Sequence, residues 1–343
     1  MLGNLLSHYP SEFARLGIEK ILTNYGLVHE SELKYPNSLN QDTGQIDKYN
    51  IEVLSKFQES LGPLLLMLDS NPFSSHCHNY LIKLAEQNGI ELKIFSANAL
   101  DYFTQDCNFV YYPGWLFRQQ TELNYQVDQP KKFRFSFLSN QSRFHRLYLY
   151  QQCRSAITHQ DCFAINVNNF TQQQSFIHND AVKHLGHNIN LLDHAPFYLN
   201  VDNDEYQDKL RHDSTVVDYS NNHNAYSAFI NITGESNTET DIVFFSEKTW
   251  KPIRSRCLFM TLGNPGAVSV LKKFGFAIPD IDLDLPILEK ISYISNQMAL
   301  WDYDKCCNIY RDNYDCAEYN QSWFADRKLS EQFVKQIKDK LKL

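Results

Sequence analysis

The sequence predicts an α/β protein built as two Rossmann-like domains in tandem that face each other across a cleft. Three observations predict it. Short apolar runs bounded by Gly, Pro or Asn alternate with stretches of helical periodicity. The polar, proline-containing stretch "NYQVDQPKK" at 124–132 separates one such series from a second. The length, 343 residues, is long for a single core and comfortable for two. The predicted divisions are 1–128, 129–325 and a closing helix at 326–343.

Taken in order, residues 10–26 place Phe13, Leu16, Ile18, Ile21 and Leu22 on one apolar face of a helix. "PLLLML" at 63–68 is a buried strand, framed by Gly62-Pro63 and Asn71-Pro72. "SSHCHNYLIKLAEQNG" is a helix ended by Asn88-Gly89, "IELKIFS" the next strand, and "CNFVYYPGW" a third strand running into a turn. Strand, helix, strand at this spacing is a βαβ unit and implies a parallel sheet. After the linker, "FRFSFLS" is a strand, "RFHRLYLYQQCR" a helix and "CFAINVN" a strand. Residues 171–225 are polar and carry no clear period. "AYSAFINITG", "DIVFFS" and "CLFMTLG" then read as strands and "GAVSVLKKFG" as a helix. The tail "SEQFVKQIKDKLKL" has apolar residues at helical spacing and lysines in its last turns, which suits a terminal helix.

Composition narrows the function classes. A formal charge of −8 argues against broad nonspecific nucleic-acid binding. The 20 Tyr, 23 Phe and 4 Trp fit an aromatic-rich core, or surfaces that stack on sugars or bases. None of the eight cysteines forms a C-x-x-C pair or stands at zinc spacing with His, so most read as buried thiols of a reducing compartment. The N-terminus lacks the apolar centre of a signal peptide, and no run reaches membrane-spanning length. The expectation is a cytoplasmic, soluble protein. G-x-x-x-x-G-K-[ST] and G-x-S-x-G are both absent.

Three segments carry chemistry. In "KKFRFSFLSNQSRFHRLYLY", a strand runs into Ser139-Asn140, and Arg143, His145 and Arg146 crowd the start of a helix. Ligands of doubly wound sheets sit at strand carboxyl ends, and two guanidiniums there can neutralise a diphosphate. Solvated first-turn residues would give the same pattern. In "AYSAFINITGESNTETDIVFFSEKTWKPI", Glu235 closes one strand and Glu247-Lys248 follows the next, where a carboxylate can hold ribose hydroxyls and an ammonium a phosphate. A surface ion pair is the plain alternative. Pro252 requires either a helix starting near Lys251 or one starting at Glu247 that is kinked. In "LGNPGAVSVLKKFGF", the turn Gly263-Asn264-Pro265-Gly266 lets a backbone approach a ligand closely, or is an ordinary strand-to-helix turn.

In this order the segments resemble the family-10 fucosyltransferases. That family carries a strand-Ser-Asn block with an Arg seven residues after the Ser, as Ser139, Asn140 and Arg146 stand here. It also carries a strand ending in Glu, then T/S-E-K, then a strand with G-x-P. Here Phe229 to Glu235, Ser246-Glu247-Lys248 and "CLFMTLGNP" match those blocks. The likeness covers about 129–276. The chain is similar also to glycosyltransferase-like proteins of phages and marine bacteria with an "EKTWKPI…GNPG" pattern. Ser236 in place of the family's Asn, Pro252, and "RSR" at 254–256 depart from it.

The resemblance implies a GT-B-like fold and an inverting, metal-independent transfer from a nucleotide sugar, GDP-fucose or another, to a hydroxyl of a glycan or small molecule. Arg146 would contact the diphosphate, Glu247 the ribose and Lys248 the phosphates. Ser139, Asn140, Arg143, Glu235 and Asn264 would complete the donor site. No cofactor or metal is implied. The family's general base is a Glu after a buried strand; Asp69, in "DSNP", stands at the comparable place, where it could equally form an Asx turn. His76 and His78 are fallback bases, with His76 and Trp115 also candidates on the acceptor side. Three other readings stand beside this one. "VDNDEY" and "DIDLD" contain the D-x-D of metal-dependent transferases. A GT-B-like module could bind a nucleotide or glycan without turnover. A phage-type enzyme could glycosylate a modified DNA base, with Lys131, Lys132, Arg134 and the C-terminal lysines as its basic face.

Overall fold

The computed structural model of the chain describes residues 25–29, 32–33, 43–61, 63–67, 75–121, 130–139, 143–165, 170–187, 190–191, 197–201, 223–235, 238 and 242–341. The chain divides into two compact units. The first is Met1–Thr121 with Glu239–Phe245 and Arg327–Leu343; the second is Glu122–Thr238 with Ser246–Asp326.

In the first unit the order is β1 (Gly26–His29), α1 (Thr43–Leu61), β2 (Leu64–Met67), α2 (Ser75–Gln87), β3 (Leu92–Ser96), a 3-10 turn at Ala99–Tyr102, β4 (Phe109–Tyr111) and α3 (Gly114–Thr121). The strands lie in the order β1-β2-β3-β4, all parallel. A parallel strand covered on both faces has no polar side, which is why β2 reads as an unbroken Leu64-Leu65-Leu66 and all three are buried. Residues 10–24 of the predicted first helix lie outside the described residues, and Gly26 already belongs to β1.

The second unit contains β5 (Phe133–Ser139), α4 (Phe144–Cys153), β6 (Cys162–Ile165), α5 (Phe170–Leu185), β7 (Phe197–Leu199), α6 (His223–Tyr226), β8 (Ala228–Gly234), α7 (Glu247–Arg254), β9 (Leu258–Leu262), α8 (Ala267–Lys273), α9 (Ile287–Leu300), α10 (Tyr303–Asp312) and α11 (Tyr314–Ala325). The strand order is β7-β6-β5-β8-β9, parallel except for β7 against β6. The chain steps from β5 to β6 on one side, then returns to place β8 on the other side of β5. That reversal makes a topological switch point between β5 and β8. Phe135, Phe137, Ile230 and Ile232 of these two strands are buried in the unit's main core with Leu147, Met260, Ile291 and Ile294. Residues 171–225, without a readable period, contain most of α5, the edge strand β7 and α6.

The last helix, α12 (Lys328–Leu341), belongs to the first unit. Phe333 sets its ring edge-on to Tyr102 and Tyr111, and Lys340 Nζ donates to the carbonyls of Asp101, Asp106 and Phe109.

One element departs from the sequence expectation. "DIVFFS" was expected as a strand of the second sheet, yet Ile242–Phe245 forms no ladder there and belongs to the first unit. Its backbone is held at the 3-10 turn: Val243 N donates to Asn98 Oδ1 at 2.9 Å, and Ala99 N donates to the Val243 carbonyl at 2.7 Å. Four consecutive buried apolar residues look like a central strand whether or not a neighbour supplies the ladder.

Candidate functional site

The site is built from two strand ends and one short helix of the second unit. Along β5 and β8 the side chains alternate. Phe135, Phe137, Ile230 and Ile232 enter the core, while Ser136, Leu138, Asn231 and Thr233 take the other face. Ser136 pairs with Asn231 in register, and Asn231 Nδ2 donates to Ser136 Oγ at 2.7 Å. Above this face a pocket with about 350 Å³ of empty space, part of it open to solvent, is lined from the strands by Leu138, Asn231, Ile232, Thr233 and Gly234. From the helices it is lined by Ala225, Tyr226, Glu247, Lys248, Lys251 and Pro252. Its place beside the switch point is where open parallel sheets bind ligands.

Helix α7 begins at Glu247, not near Lys251, and holds Pro252 inside it, with Ser246 as its N-cap. Ser246 Oγ accepts from Lys248 N at 3.3 Å. Trp250, 1 % exposed, fastens the helix against Phe276 and Phe324, and this packing outweighs the loss of the N–H that Pro252 lacks.

Glu235 is the second anchor. Its carboxylate accepts from Ser246 N at 3.0 Å, Ser246 Oγ at 2.6 Å and Thr249 Oγ1 at 2.6 Å. A negative group at a helix N-terminus is favoured by the dipole. Burial raises the Glu235 pKa, against the pull of Lys248 and these hydrogen bonds. Glu235 is 1 % exposed and does not line the pocket. The N-terminal end of α7 is therefore already held by an internal carboxyl group.

Glu247 and Lys248 are the two predicted donor-site residues that this pocket brings together. Lys248 Nζ lies 2.5 Å from Glu247 Oε1 and 3.5 Å from Ser246 Oγ, and both side chains are mostly buried. Burial works against the charge on Glu247, but Lys248 and Lys251 outweigh it and hold its carboxyl down at about 2. The pocket therefore presents two ammoniums and one ionised carboxylate. Lys251, 2 % exposed and one turn beyond Glu247, was missed from sequence. Spacing of four on a helix was its only signal, and the proline beside it obscured the helix.

The remaining predicted residues are placed elsewhere. Ser139 and Arg146 are each 1 % exposed. Arg146 stands behind the end of β8, where a Cβ added to Gly234 would come within 3.5 Å of its side chain. Arg143 is the N-cap residue of α4, and burial lowers its pKa while Asp180 acts the other way. His145 is buried, and its Nε2 lies 2.8 Å from the Glu235 carbonyl. A carbonyl only accepts, so Nε2 carries the proton. Burial first, then Arg146, brings its pKa to about 3. Asn264 is buried in the turn before α8, and its carbonyl accepts from Ala267 N at 3.2 Å. Gly266 in that turn has φ 87°, a conformation that favours glycine. In the first unit, Trp115 lies on α3 and is partly buried, and His76 and His78 lie in the first turn of α2. Asp69 and Asn140 lie outside the described residues, as do the acidic residues of "VDNDEY".

In the other D-x-D, Asp282 and Asp284 are both engaged within the second unit. Asp282 is buried, accepts from Thr261 N and Oγ1 at 2.8 Å each, and pairs with Lys290 at 2.5 Å. Asp284 accepts from Gly266 N and Ser269 Oγ at the start of α8. Among the described residues no group of three or more His, Cys, Asp or Glu is placed to hold a metal ion. Lys131 Nζ donates to the carbonyls of Tyr226 and Ser255, and Arg134 is buried in an ion pair with Asp161 at 2.6 Å, so neither forms an open basic face. No described helix is long and apolar enough to cross a membrane.

No protein-family model matches the chain, and no curated protein matches it in sequence. A crystal structure of an alpha1,3-fucosyltransferase is similar to 84 % of this chain and 88 % of that chain, at 11 % identity and a TM-score of 0.35. The pocket's own groups define its chemistry: two cations to meet an anion, a carboxylate to accept from hydroxyls, and a polar strand face beneath them.

Proposed function

We propose that the chain is a glycosyltransferase whose pocket in the second unit binds a nucleotide sugar. The observation that supports this best is the placement of Glu247, Lys248 and Lys251 over the carboxyl-terminal part of β8, beside the switch point. A nucleoside diphosphate offers the complementary groups, with ribose hydroxyls for Glu247 and phosphate oxygens for the lysines. Because Glu235 holds the start of α7, the charge that develops on the departing diphosphate falls to the lysine side chains and not to the helix terminus. Glu235 and His145 act behind the pocket and position β8 against α7.

In this reading the transfer is inverting and needs no metal. Asp69, two residues past the end of β2 in sequence, is the general base that deprotonates an acceptor hydroxyl. Titration calorimetry with GDP, UDP, CDP and their common sugar conjugates tests the donor site. Wild type is expected to bind one nucleoside diphosphate class, and Lys248→Ala to weaken it about tenfold or more. Binding of none of them by wild type, or unaltered binding by both Lys248→Ala and Lys251→Ala, overturns the reading. Asp69→Asn should keep the nucleotide affinity and lose transfer.

A further inference from the structure

We infer that Thr233 contacts the bound ligand directly and is a specificity-determining residue of the pocket, a step that rests on the nucleotide-sugar reading and adds to it a strand-side contact. The central strands of a parallel sheet are normally apolar on both faces. Here β5 and β8, neighbours at the middle of the sheet, place Ser136, Asn231 and Thr233 on one face. Ser136 and Asn231 satisfy each other at 2.7 Å. Thr233 is the exception. It is 1 % exposed, and its Oγ1 finds no hydrogen-bond partner among the described residues.

A buried hydroxyl without a partner destabilises a fold, and valine would fill the same volume without that cost. Thr233 is also a pocket-lining residue, with Asn231 and Gly234 of its own strand and Lys248, Lys251 and Pro252 of α7. Among the described residues, the group of this strand face left unsatisfied therefore stands where a ligand held by the α7 lysines would reach the strand. A hydroxyl can donate or accept, so it complements a sugar hydroxyl or a phosphate oxygen. Sites that hydrogen-bond a ligand group discriminate strongly against ligands that lack it.

The test compares wild type, Thr233→Val and Thr233→Ser by titration calorimetry with GDP, UDP and CDP, and by thermal denaturation without ligand. Thr233→Val is expected to bind the preferred nucleotide about fivefold to tenfold more weakly, and Thr233→Ser to recover most of that loss. Without ligand, Thr233→Val should melt at or above the wild-type temperature, because no internal hydrogen bond is removed. A clearly lowered melting temperature would give the hydroxyl an internal role and overturn the inference. So would wild-type affinity in Thr233→Val, provided Lys248→Ala is weakened; that outcome leaves the donor-site reading standing. Failure of wild type to bind any nucleotide removes both together.

Discussion

The Ser246 hydroxyl donates to the Glu235 carboxylate at 2.6 Å while accepting the Lys248 backbone N–H, so one side chain joins the end of β8 to the first turn of α7. The pocket's charged residues keep their places through this joint. Glu235→Ala leaves the Ser246 N–H and the Ser246 and Thr249 hydroxyls without their acceptor. It should destabilise the second unit by about 3 kcal/mol or more in urea denaturation. Ser246→Ala should cost about 1–2 kcal/mol, the range of a lost N-cap.

Glu247→Gln removes the carboxylate that holds Lys248 at 2.5 Å. The pocket then carries two cations and no anion. Inorganic pyrophosphate should bind several-fold more tightly to this variant, and a nucleoside diphosphate relatively more weakly, because the acceptor for ribose hydroxyls is lost. A parallel change for both probes would separate Glu247 from ribose recognition.

His145 is neutral in the folded protein, with a pKa brought from 6.5 to about 3 by burial and its arginine neighbours. The unfolded chain binds a proton near pH 6.5 and the folded one does not, so the contribution is complete above that pH and falls as the pH drops towards 3. Each pH unit in this window is worth about 1.4 kcal/mol for one proton. Denaturation at pH 7 and pH 5 should show a smaller difference for His145→Gln than for wild type.

Asp101 has the opposite sign. Burial raises its carboxyl to about 6, against the pull of its Ser96 hydrogen bond and Lys340. The folded state holds the proton more tightly, so this residue's contribution declines as the pH rises from about 4 to 6. Because Lys340 ties α12 to the Asp101 carbonyl, amide exchange in α12 is a local readout. Exchange protection there should fall over this interval in wild type and fall less in Asp101→Asn.

Gly234 has no room for a side chain. A Cβ there would lie 2.8 Å from the Phe137 ring. Phe137 is fully buried, so Gly234→Ala must displace it and the end of β8 together. A loss of about 1–3 kcal/mol by thermal or urea denaturation is expected, with weaker nucleotide binding as the Thr233 wall shifts.

Much of the fold was legible along the chain because β5, β8, β9 and their helices carry both their period and their stops. "FRFSFLS" corresponds to β5 residue for residue. The run Ile242–Phe245 misled because four apolar residues report burial but not a hydrogen-bonded neighbour. Glu235 stood out as a strand-end carboxylate, yet nothing in "GES" reveals that Ser246 and Thr249, eleven and fourteen residues on, would take it. The tyrosines and phenylalanines served mainly as core, as Phe333 between Tyr102 and Tyr111 illustrates.

By itself the sequence determined the alternation of strands and helices and the adjacency of Glu247 and Lys248. Those properties follow from local periodicity, turn residues and position along the chain. Only the tertiary structure decided that β8 returns beside β5, that Thr233 stands unsatisfied in the wall of the pocket that Lys251 also lines, and that Glu235 is turned inward to hold a helix. Each of these depends on which segments become neighbours in space. A hydroxyl or carboxylate acquires its role from the groups that desolvate it and the partners that remain within about 3 Å.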